Sequence, residues 1–465
     1  MPDYKDTLSL FTQNGQEHIL ADWDRLLPDQ QEQLLENCAR VDFAWLKARW
    51  DEFQAASAHA PARAIKPAPV TELPKTDADR AKWNDATAKG EEILRQGKAA
   101  AFLVAGGQGT RLGFSGPKGT YPIGPVSGRT LFQWHAEQIL ARSRRYGAAI
   151  PWYLMTSRDN DADTRQFLAD NGNFGLPEKD IIYFQQDMVP SLDFNGKLML
   201  ATPSTLAMNP NGHGGSLFGL ERSGALKNMR ERGIEYISYF QVDNPLVTIC
   251  DPAFLGWHAL SGSEMSSKVL EKNSPDERIG VACIQDGKPA VVEYIDMSPE
   301  DQSAMGPDGR LRYWAGSIAI HIINVSFAEK IAKEHGLPWH QSKKKVAHFE
   351  GNRLVKPDKE NAVKFETFVF DALPYAKKAL NLEVCREDEF APVKNAVGVD
   401  SAVSCRGLLS NHFLEWLADC GIPVPVGGKE LPVVEISPLY ALDGGELAAK
   451  VKPDGFMLEN TLLLG

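Results

Sequence analysis

The stretch that most constrains the fold runs from Ala99 to Gly124 and reads AAAFLVAGGQGTRLGFSGPKGTYPIG. Its first seven residues are apolar, which is typical of a strand buried on both faces. The run ends in glycines at positions 106, 107 and 109, followed by Arg111 and Lys118. Glycines allow positive φ and let backbone N–H groups approach anionic oxygens, and two cations suit a triphosphate. The stretch therefore predicts a phosphate-binding loop.

Three kinds of glycine-rich loop can be compared with this stretch. A dinucleotide fingerprint needs G-x-G-x-x-G, but the third glycine comes one place late, at Gly113, with Leu112 where it should stand. A Walker A loop is excluded because Lys118 follows a proline and precedes a glycine. The pattern that remains, G-G-x-G-T-R-L followed by P-K, is typical of nucleotidyltransferases that activate sugars. The alternative is a tight turn between a strand and a helix that carries two solvated cations.

Composition limits the class of protein. The chain has 465 residues, enough for two or three domains, a net charge of −11 and 43% hydrophobic residues. The acidic balance argues against a nucleic-acid or anionic-membrane partner. Six scattered cysteines without zinc spacing predict reduced thiols. The N-terminal segment MPDYKDTLSLF lacks the features of a secretion signal, so we expect a cytoplasmic protein.

From residue 99 onward, strand patterns alternate with helix patterns. Helices are predicted over 130–146, 161–170 and 217–232, and strands over 152–156, 181–184 and 236–242. Such alternation indicates βαβ units. We therefore expect an α/β fold with a central mixed, mostly parallel nucleotide-binding sheet flanked by helices. The final stretch, from about residue 401, is predicted to form short strands and turns because it is rich in glycine and proline.

The flanking segments complete the expected domain organisation. Residues 1–54 show helical spacing of apolar residues, 55–74 are rich in proline and alanine as in a connector, and 77–96 are again helical. The expected domains are a helical N-terminal region at 1–98 that contains the linker 55–74, a catalytic domain at 99–375 and a small C-terminal domain at 376–465.

Asp243 follows the predicted strand that ends at Val242. Ligands of α/β sheets gather at the carboxyl ends of strands, so this carboxylate is suited to hold Mg²⁺ against phosphate oxygens. The alternative is an aspartate that caps the next turn. Further along, 290–297 and 281–285 are predicted to form a hairpin that presents Glu293 and Tyr294, groups that can bond sugar hydroxyls.

A series of ordered motifs covers nearly the whole chain. They are GQEHILADWDRL, LVAGGQGTRLG with PKGTYPIG, FQQDMVPSLDFNGKLML, NPNGHGGSLFGL, YFQVDNPLVTICDP, VVEYIDMS, VKFETFVFD, REDEFAPVKNA and EISPLYALDGGEL. In these motifs the chain resembles the eukaryotic-type UDP-N-acetylglucosamine pyrophosphorylases, within the wider family of UTP-dependent sugar-1-phosphate uridylyltransferases. The resemblance implies three domains, the central one with a nucleotide-binding α/β fold.

The resemblance also implies a role for each matching residue. The UTP-binding loop would comprise Val104, Ala105, Gly106, Gly107 and Gly109, with Arg111 and Lys118 as its cations. Gln186 and Gly212 would recognise uracil, and Asp243 would serve UTP and Mg²⁺. Lys364 and Lys394 match lysines near the phosphates of the nucleotide and the sugar phosphate, and Glu293 and Tyr294 match positions that line the sugar.

Two departures from the family pattern leave the sugar open. The acetylglucosamine enzymes show P-D-G-N-G-G where this chain has PNGHGG, so His213 replaces an asparagine, as in the glucose-using relatives. Ser317 stands where the family has an asparagine close to the N-acetyl group. Loss of one such hydrogen bond would cost about 0.5 to 1.5 kcal/mol of discrimination. N-acetylglucosamine 1-phosphate and glucose 1-phosphate both remain candidates.

The expected reaction joins UTP and a hexose 1-phosphate into a UDP-sugar and releases pyrophosphate. A Mg²⁺-assisted in-line attack on the α-phosphate would need no protein nucleophile, so catalysis depends on positioning and charge. Two alternatives come from other classes. One is a non-catalytic protein that binds UDP-sugars, and the other is a nicotinamide-dependent dehydrogenase, which the glycine spacing disfavours.

Overall fold

The computed structural model describes residues 3–56, 64–351, 353–425, 431–453, 456 and 458–465. Within it the chain forms two compact units, each built from three segments. The smaller unit comprises Met1–Pro61, Gln186–Ser216 and Leu337–Asp371, and the larger unit comprises Ala62–Gln185, Leu217–Gly336 and Ala372–Gly465. The domain ranges 1–98, 99–375 and 376–465 stay a prediction. Residues 57–63 of the expected linker lie outside the described residues.

Helices occur throughout the described residues. They are α1 Tyr4–Gln13, α2 Pro28–Cys38, α3 Phe43–Ala56, α4 Asp77–Arg95, α5 Leu131–Tyr146, α6 Asp161–Asp170, α7 Gly215–Arg222, α8 Ala225–Glu231, α9 Pro252–Ser261, α10 Pro299–Ser303, α11 Val325–Lys330, α12 Arg386–Glu389, α13 Ala402–Asp419 and α14 Gly444–Lys450. Within the described part of the chain, no helix combines the length and apolar character needed to cross a membrane.

Strands fall between these helices. They are β1 Ile65–Pro67, β2 Ala99–Val104, β3 Trp152–Thr156, β4 Ile181–Gln185, β5 Met188–Pro190, β6 Leu192–Asp193, β7 Leu200–Thr202, β8 Thr205–Leu206, β9 Met208–Pro210, β10 Tyr236–Gln241, β11 Met265–Glu271, β12 Val281–Gln285, β13 Lys288–Val292, β14 Ala315–Asn324, β15 His340–Lys344, β16 His348–Glu350, β17 Arg353–Val355, β18 Ala362–Glu366, β19 Ala379–Glu383, β20 Val433–Ile436 and β21 Thr461–Leu464.

The larger unit is built on a mixed sheet with the order β1-β12-β14-β10-β2-β3-β4, while β11 pairs with β14 and β19, and β13 with β12. Strands β10, β2, β3 and β4 are parallel to one another, and the ladders from β10 through β14 to β1 are antiparallel. Of the parallel strands, β2 and β3 are buried at nearly every residue, as is typical of strands covered on both faces. This confirms the expected mixed α/β sheet and places its parallel half at β10-β2-β3-β4.

The parallel register brings two predicted site segments together. Val104, the last residue of β2, is paired with Gln241, the last residue of β10. The N–H of Val242 donates to the carbonyl of Val104 at 3.1 Å. The glycine loop and Asp243 therefore leave the same edge of the sheet from neighbouring strands.

The smaller unit has its own core. Strand β18 lies between β15 and β6, and three further two-stranded antiparallel pairs are β5-β9, β7-β8 and β16-β17. Phe11, Leu34 and Leu46 of the N-terminal helices are buried together with Val363 and Phe365 of β18. This unit assembles chain segments that are far apart in sequence.

Several elements differ from the expectations. Residues 17–25 form two short 3₁₀ turns instead of a helix, and α1 precedes them. The helix expected over 217–232 is divided at Gly224, whose φ is +79°. The stretch from Ser401, expected as short strands and turns, begins with the 18-residue helix α13. Gly427 and Gly428, which supported that expectation, lie outside the described residues.

Candidate active site

The glycine loop is held by its own backbone. The N–H of Lys118 donates to the carbonyl of Gly107 at 3.1 Å, and the N–H of Gly109 donates to the carbonyl of Gly116 at 3.0 Å. A Cβ on Gly109 would stand 2.8 Å from Phe114, whereas one on Gly107 would meet nothing within 4 Å. Gly107 thus leaves open backbone for a ligand.

The reason for the glycines is partly corrected by the structure. Positive φ occurs at Gly113 (69°) and Gly116 (124°), and not at the three glycines for which it was expected. Of those three, Gly109 is required for its small size, while Gly106 is buried and Gly107 is exposed. Val104 and Ala105 lead the chain into the loop from the end of β2.

Asn160 supports the same loop and was missed in the sequence. Its amide donates to the carbonyls of Ala105 at 2.9 Å and Gly107 at 3.3 Å, and its side chain is 1% exposed. It stands at the N-cap of α6 but makes no side-chain cap bond there. An asparagine before a helix ordinarily predicts a cap, so no local signal distinguishes this role.

Asp243 is enclosed between two of the predicted cations. Its side chain is 10% exposed, and its Oδ2 lies 3.8 Å from Lys118 Nζ. Burial raises the pKa of Asp243, but the charges of Lys118 and Lys394 outweigh that effect and hold it below its ordinary value. The backbone carbonyl of Asp243 accepts from the N–H of Val393 at 2.9 Å, which fixes the segment that carries Lys394. Three residues predicted separately therefore interact.

A small cavity of about 90 Å³ adjoins this group. Asp243, Lys394 and Ser317 line it, together with Asn244 and Phe390. Lys394 Nζ also lies 5.3 Å from the centre of the Phe390 ring. The structure thus brings Ser317, the residue expected near the sugar, to the same cavity as the predicted metal ligand.

An irregular segment of β14 shapes one wall of the cavity. Ser317 is in register with Val269 and His321 with Ser267, so three residues of β14 lie opposite the single residue Lys268. Within this bulge Ala319 has φ +56°, a conformation that non-glycine residues rarely adopt. Bulges and such strain often occur beside active sites.

Glu293 and Tyr294 follow the predicted hairpin, which turns through Asp286 and Gly287. The second strand ends at Val292, so both residues lie after it and not on it as expected. A Cβ on Gly280 would stand 3.1 Å from Glu293 Oε1, and the carbonyl of Gly280 accepts from the N–H of Ser317 at 2.8 Å. Glu293 therefore belongs to the neighbourhood of Ser317.

Arg111 is exposed on the short turn Gly109–Leu112 that follows the loop. Among the described residues no carboxylate forms an ion pair with it, which leaves its guanidinium available to an anion.

The smaller unit holds Gly212 and His213 against the chain after β18. Gly212 has φ +83°, and a Cβ there would stand 2.3 Å from the carbonyl oxygen of Thr367. The N–H of Gly214 donates to that same oxygen at 2.8 Å. Only glycine fits at position 212, because its φ is positive and a Cβ would collide with the backbone of Thr367.

The structure fixes the tautomer of His213. The N–H of Val369 donates to His213 Nδ1 at 3.1 Å, so the proton of the neutral ring is on Nε2. Burial, with a contribution from His340, lowers the pKa of His213 to about 4. The ring stacks on Phe368 at 5.2 Å. His213 is thus a neutral, oriented donor at pH 7.

Gln186 and Lys364 also belong to the smaller unit. Gln186 is buried, and Lys364 is half-buried in β18, in register with Ser342 of β15.

Comparison with known proteins identifies the family of this chain. The model of the UTP–glucose-1-phosphate uridylyltransferase family matches residues 49–409. The chain belongs to this family. It is therefore an enzyme, a nucleotidyltransferase that acts on UTP and a sugar 1-phosphate.

Curated relatives match over almost their full length. The enzyme is 36% identical to human UDP-N-acetylhexosamine pyrophosphorylase-like protein 1, over 96% of this chain and 94% of that protein. It is 32% identical to the UDP-N-acetylglucosamine pyrophosphorylase of Saccharomyces cerevisiae, over 95% and 96%. The fold matches the Trypanosoma brucei uridine diphosphate N-acetylglucosamine pyrophosphorylase with a TM-score of 0.84, over 100% and 98% of the two chains at 24% identity.

A buried charge network behind the enzyme's cavity was also missed. Lys268 is fully buried, pairs with Asp251 at 2.7 Å and contacts Glu389. Burial lowers the pKa of Lys268, but the two carboxylates more than offset it and raise the pKa. The amide of Asn244 donates to the carbonyl of Glu389 at 2.7 Å. Because these residues are far apart in sequence, no motif reveals them.

Proposed function

We propose that this enzyme transfers the uridylyl group of UTP to N-acetylglucosamine 1-phosphate, with release of pyrophosphate. The observation that carries the proposal is the group formed by Asp243, Lys118 and Lys394 beside the glycine loop. The names of the relatives favour an N-acetylhexosamine substrate. Glucose 1-phosphate is the second candidate, favoured by His213 and Ser317.

In the proposed reaction a phosphate oxygen of the sugar attacks the α-phosphorus of UTP. A bond forms between that oxygen and the α-phosphorus, and the bond from the α-phosphorus to the bridging oxygen of pyrophosphate breaks. The attacking group is already an anion at pH 7, so the enzyme needs neither a nucleophile nor a general base. Its task is to bring two anions together and to stabilise the leaving pyrophosphate.

The cations divide this work in our proposal. Arg111 and Lys118 neutralise the charge that develops on pyrophosphate, while Lys394 guides the sugar phosphate and Lys364 contacts the α-phosphate. The loop residues Val104, Ala105, Gly106, Gly107 and Gly109 supply backbone contacts to the phosphates, and Gln186 and Gly212 recognise uracil. Sites of this kind act through donors fixed before the reaction.

We propose Asp243 as the protein ligand of Mg²⁺. Its carboxylate is ionised because Lys118 and Lys394 lower its pKa, and an ionised oxygen is the ligand that Mg²⁺ prefers. A bound Mg²⁺ would neutralise part of the triphosphate charge. Phosphate oxygens and water would complete the coordination, which explains why one carboxylate suffices.

We propose that His213, Glu293, Tyr294 and Ser317 contact the sugar. His213 offers a neutral Nε2–H, which can donate to a hydroxyl without adding charge. Ser317 offers one hydroxyl where an asparagine would offer an amide. We also propose a cytoplasmic location, supported by six free cysteines, four of them buried.

The decisive experiment measures pyrophosphate release by the purified enzyme with UTP and Mg²⁺. N-acetylglucosamine 1-phosphate, glucose 1-phosphate and galactose 1-phosphate are compared by kcat/KM, with Asp243→Asn as the inactive control. A preference for the acetylated sugar supports the proposal, and a preference for glucose 1-phosphate supports the second candidate. Binding of UDP-sugars without turnover of any of the three would favour the non-catalytic alternative.

A further inference from the structure

A second, larger cavity lies in the larger unit, behind the segment that carries Asp243. It encloses about 650 Å³. Asp243 and Asn244 face the small cavity, whereas Pro245, Leu246 and Thr248 line this one. Likewise Phe390 and Lys394 face the small cavity, and Asp388 lines the large one. The two cavities share the segments 243–248 and 388–394 as walls.

Three potential metal ligands meet in this larger cavity. His412 and Glu415 are three residues apart on α13, and Asp388 belongs to α12. One ligand atom from each residue lies within 4.8 Å of the other two. Asp388 and Glu415 are exposed, so both carboxylates reach the cavity from solvent.

His412 provides an independent sign of a ligand. The residue is only 8% exposed, and its Nδ1 is buried without a hydrogen bond among the described residues. That nitrogen lies 3.2 Å from Asp388 Oδ1, in an orientation that does not meet hydrogen-bond geometry. Both ring nitrogens of the buried His258 are bonded, at 2.7 and 2.9 Å, whereas His135 Nδ1 is unpartnered within the described part of the chain, like His412 Nδ1. At His412, two carboxylate oxygens also lie within 4.8 Å of a ring nitrogen. Buried polar atoms without a partner are rare and require an explanation.

The separation of these atoms fits coordination. Two ligand atoms at about 2.1 Å from a common ion lie roughly 3 Å apart in octahedral and slightly farther apart in tetrahedral geometry. The 3.2 Å between His412 Nδ1 and Asp388 Oδ1 falls in that range. The His412 ring packs against Trp416 with ring centres 4.8 Å apart and planes tilted by 60°, which limits rotation of the imidazole.

We propose that Asp388, His412 and Glu415 form a binding site for a divalent transition-metal ion such as Zn²⁺ or Mn²⁺. One imidazole and two carboxylates suit these ions, while Mg²⁺ prefers oxygen ligands alone. The remaining coordination positions face the large cavity and are open to water. A bound ion would join α12 to α13 and so restrain the segment that leads to Lys394. The site does not depend on the function proposed above.

The test uses the full chain, freed of metal with a chelator and without nucleotide. Titration with Zn²⁺ alone and with Mn²⁺ alone is followed by calorimetry and, for Mn²⁺, by electron paramagnetic resonance. We expect one site whose affinity falls at least about 10-fold in Glu415→Gln, Asp388→Asn and His412→Gln. Bound ion should also raise the Tm of the wild type but not of these variants.

Two controls isolate the cluster. Asp419→Asn removes a carboxylate from the same helix and cavity, and we expect it to keep wild-type affinity. Asp243→Asn should also keep it, which separates this site from the proposed Mg²⁺ ligand. Absence of a stoichiometric site in the wild type would overturn the proposal, and so would wild-type affinity in Glu415→Gln. Glu415 is exposed, so its replacement tests the site without disturbing the core.

Discussion

Lys118 is the single residue whose removal tests the proposed charge arrangement most directly. Replacement by Met keeps the length of the side chain and removes the charge 3.8 Å from Asp243. We expect kcat to fall by about 10²- to 10³-fold, as when one preorganised donor is removed from an active site. Lys98→Met is the matched control, because Lys98 belongs to an exposed ion pair with Glu235.

The measurement is initial-rate kinetics at saturating UTP and sugar phosphate. A Lys118→Met enzyme with nearly wild-type kcat would remove Lys118 from the reaction. A change confined to KM would assign it to ground-state binding.

Ser317 offers a test of sugar choice at the scale of one hydrogen bond. It lines the cavity that contains Asp243, and an asparagine there would add an amide that can bond an acetamido group. We expect Ser317→Asn to shift the ratio of kcat/KM towards N-acetylglucosamine 1-phosphate over glucose 1-phosphate by about 2- to 10-fold, corresponding to about 0.5 to 1.5 kcal/mol. Ser267→Asn is unsuitable as a control because Ser267 is fully buried, so exposed Ser303→Asn serves instead.

An unchanged ratio in Ser317→Asn would show that position 317 does not contact the acetamido group. Equal loss with both sugars would indicate crowding of the cavity instead of selection.

At the scale of elements, Lys268 of β11 is paired with Asp251 and Glu389, which belong to the segments that carry Asp243 and Lys394. Replacement by Met removes the cation that is paired with the half-buried Asp251 and the buried Glu389. We expect the free energy of unfolding to fall by about 3 to 5 kcal/mol, because breaking a buried pair leaves an uncompensated charge. Urea denaturation of Lys268→Met against Lys98→Met measures the difference.

A double variant distinguishes charge from packing. Glu389→Gln in the Lys268→Met background removes one of the two uncompensated carboxylates, so we expect part of the lost stability to return. Additive losses in the double variant would contradict this explanation.

The elements that were predicted from sequence are those defined by local signals. Helix α5 begins after Thr130, whose hydroxyl accepts from the N–H of Gln133 at 3.2 Å, and it ends at Gly147 with φ +67°. The strand and glycine loop were likewise visible in a single stretch of sequence. Helix α13 was missed because glycine and proline were weighed over the whole C-terminal stretch. Packing does not require its Gly407, since a Cβ there would meet nothing within 4 Å.

Site residues, like the elements, were predictable from the sequence where a local motif marks them. Motifs identified Lys118, Asp243 and Lys394, and the structure brings these residues of the larger unit together. Asn160 and Lys268 could not be identified, because their roles depend on contacts between strands and loops far apart in sequence. The orientation of His213 also required the structure, since it depends on the N–H of Val369.

At the scale of the whole molecule, three histidines make stability depend on pH. Burial lowers the pKa values of His135, His213 and His258 to about 4, with His340 adding to the effect at His213. The unfolded chain, with an ordinary pKa near 6.5, therefore binds more protons than the folded chain between these values. The stability of the folded state that depends on these rings being neutral is fully present above about pH 6.5 and is lost as the pH falls towards 4.

When the pH is lowered from 7 to 5, we expect each of these histidines to lower the free energy of unfolding by about 2 kcal/mol. Urea denaturation at the two pH values measures the total change in the free energy of unfolding, which includes the contributions of these histidines. His135→Gln should reduce the difference between the two pH values whatever its effect at pH 7, because a residue that does not titrate adds no proton uptake. A His135→Gln variant that kept the wild-type difference between pH 7 and pH 5 would contradict the neutral state of this buried ring in the folded chain.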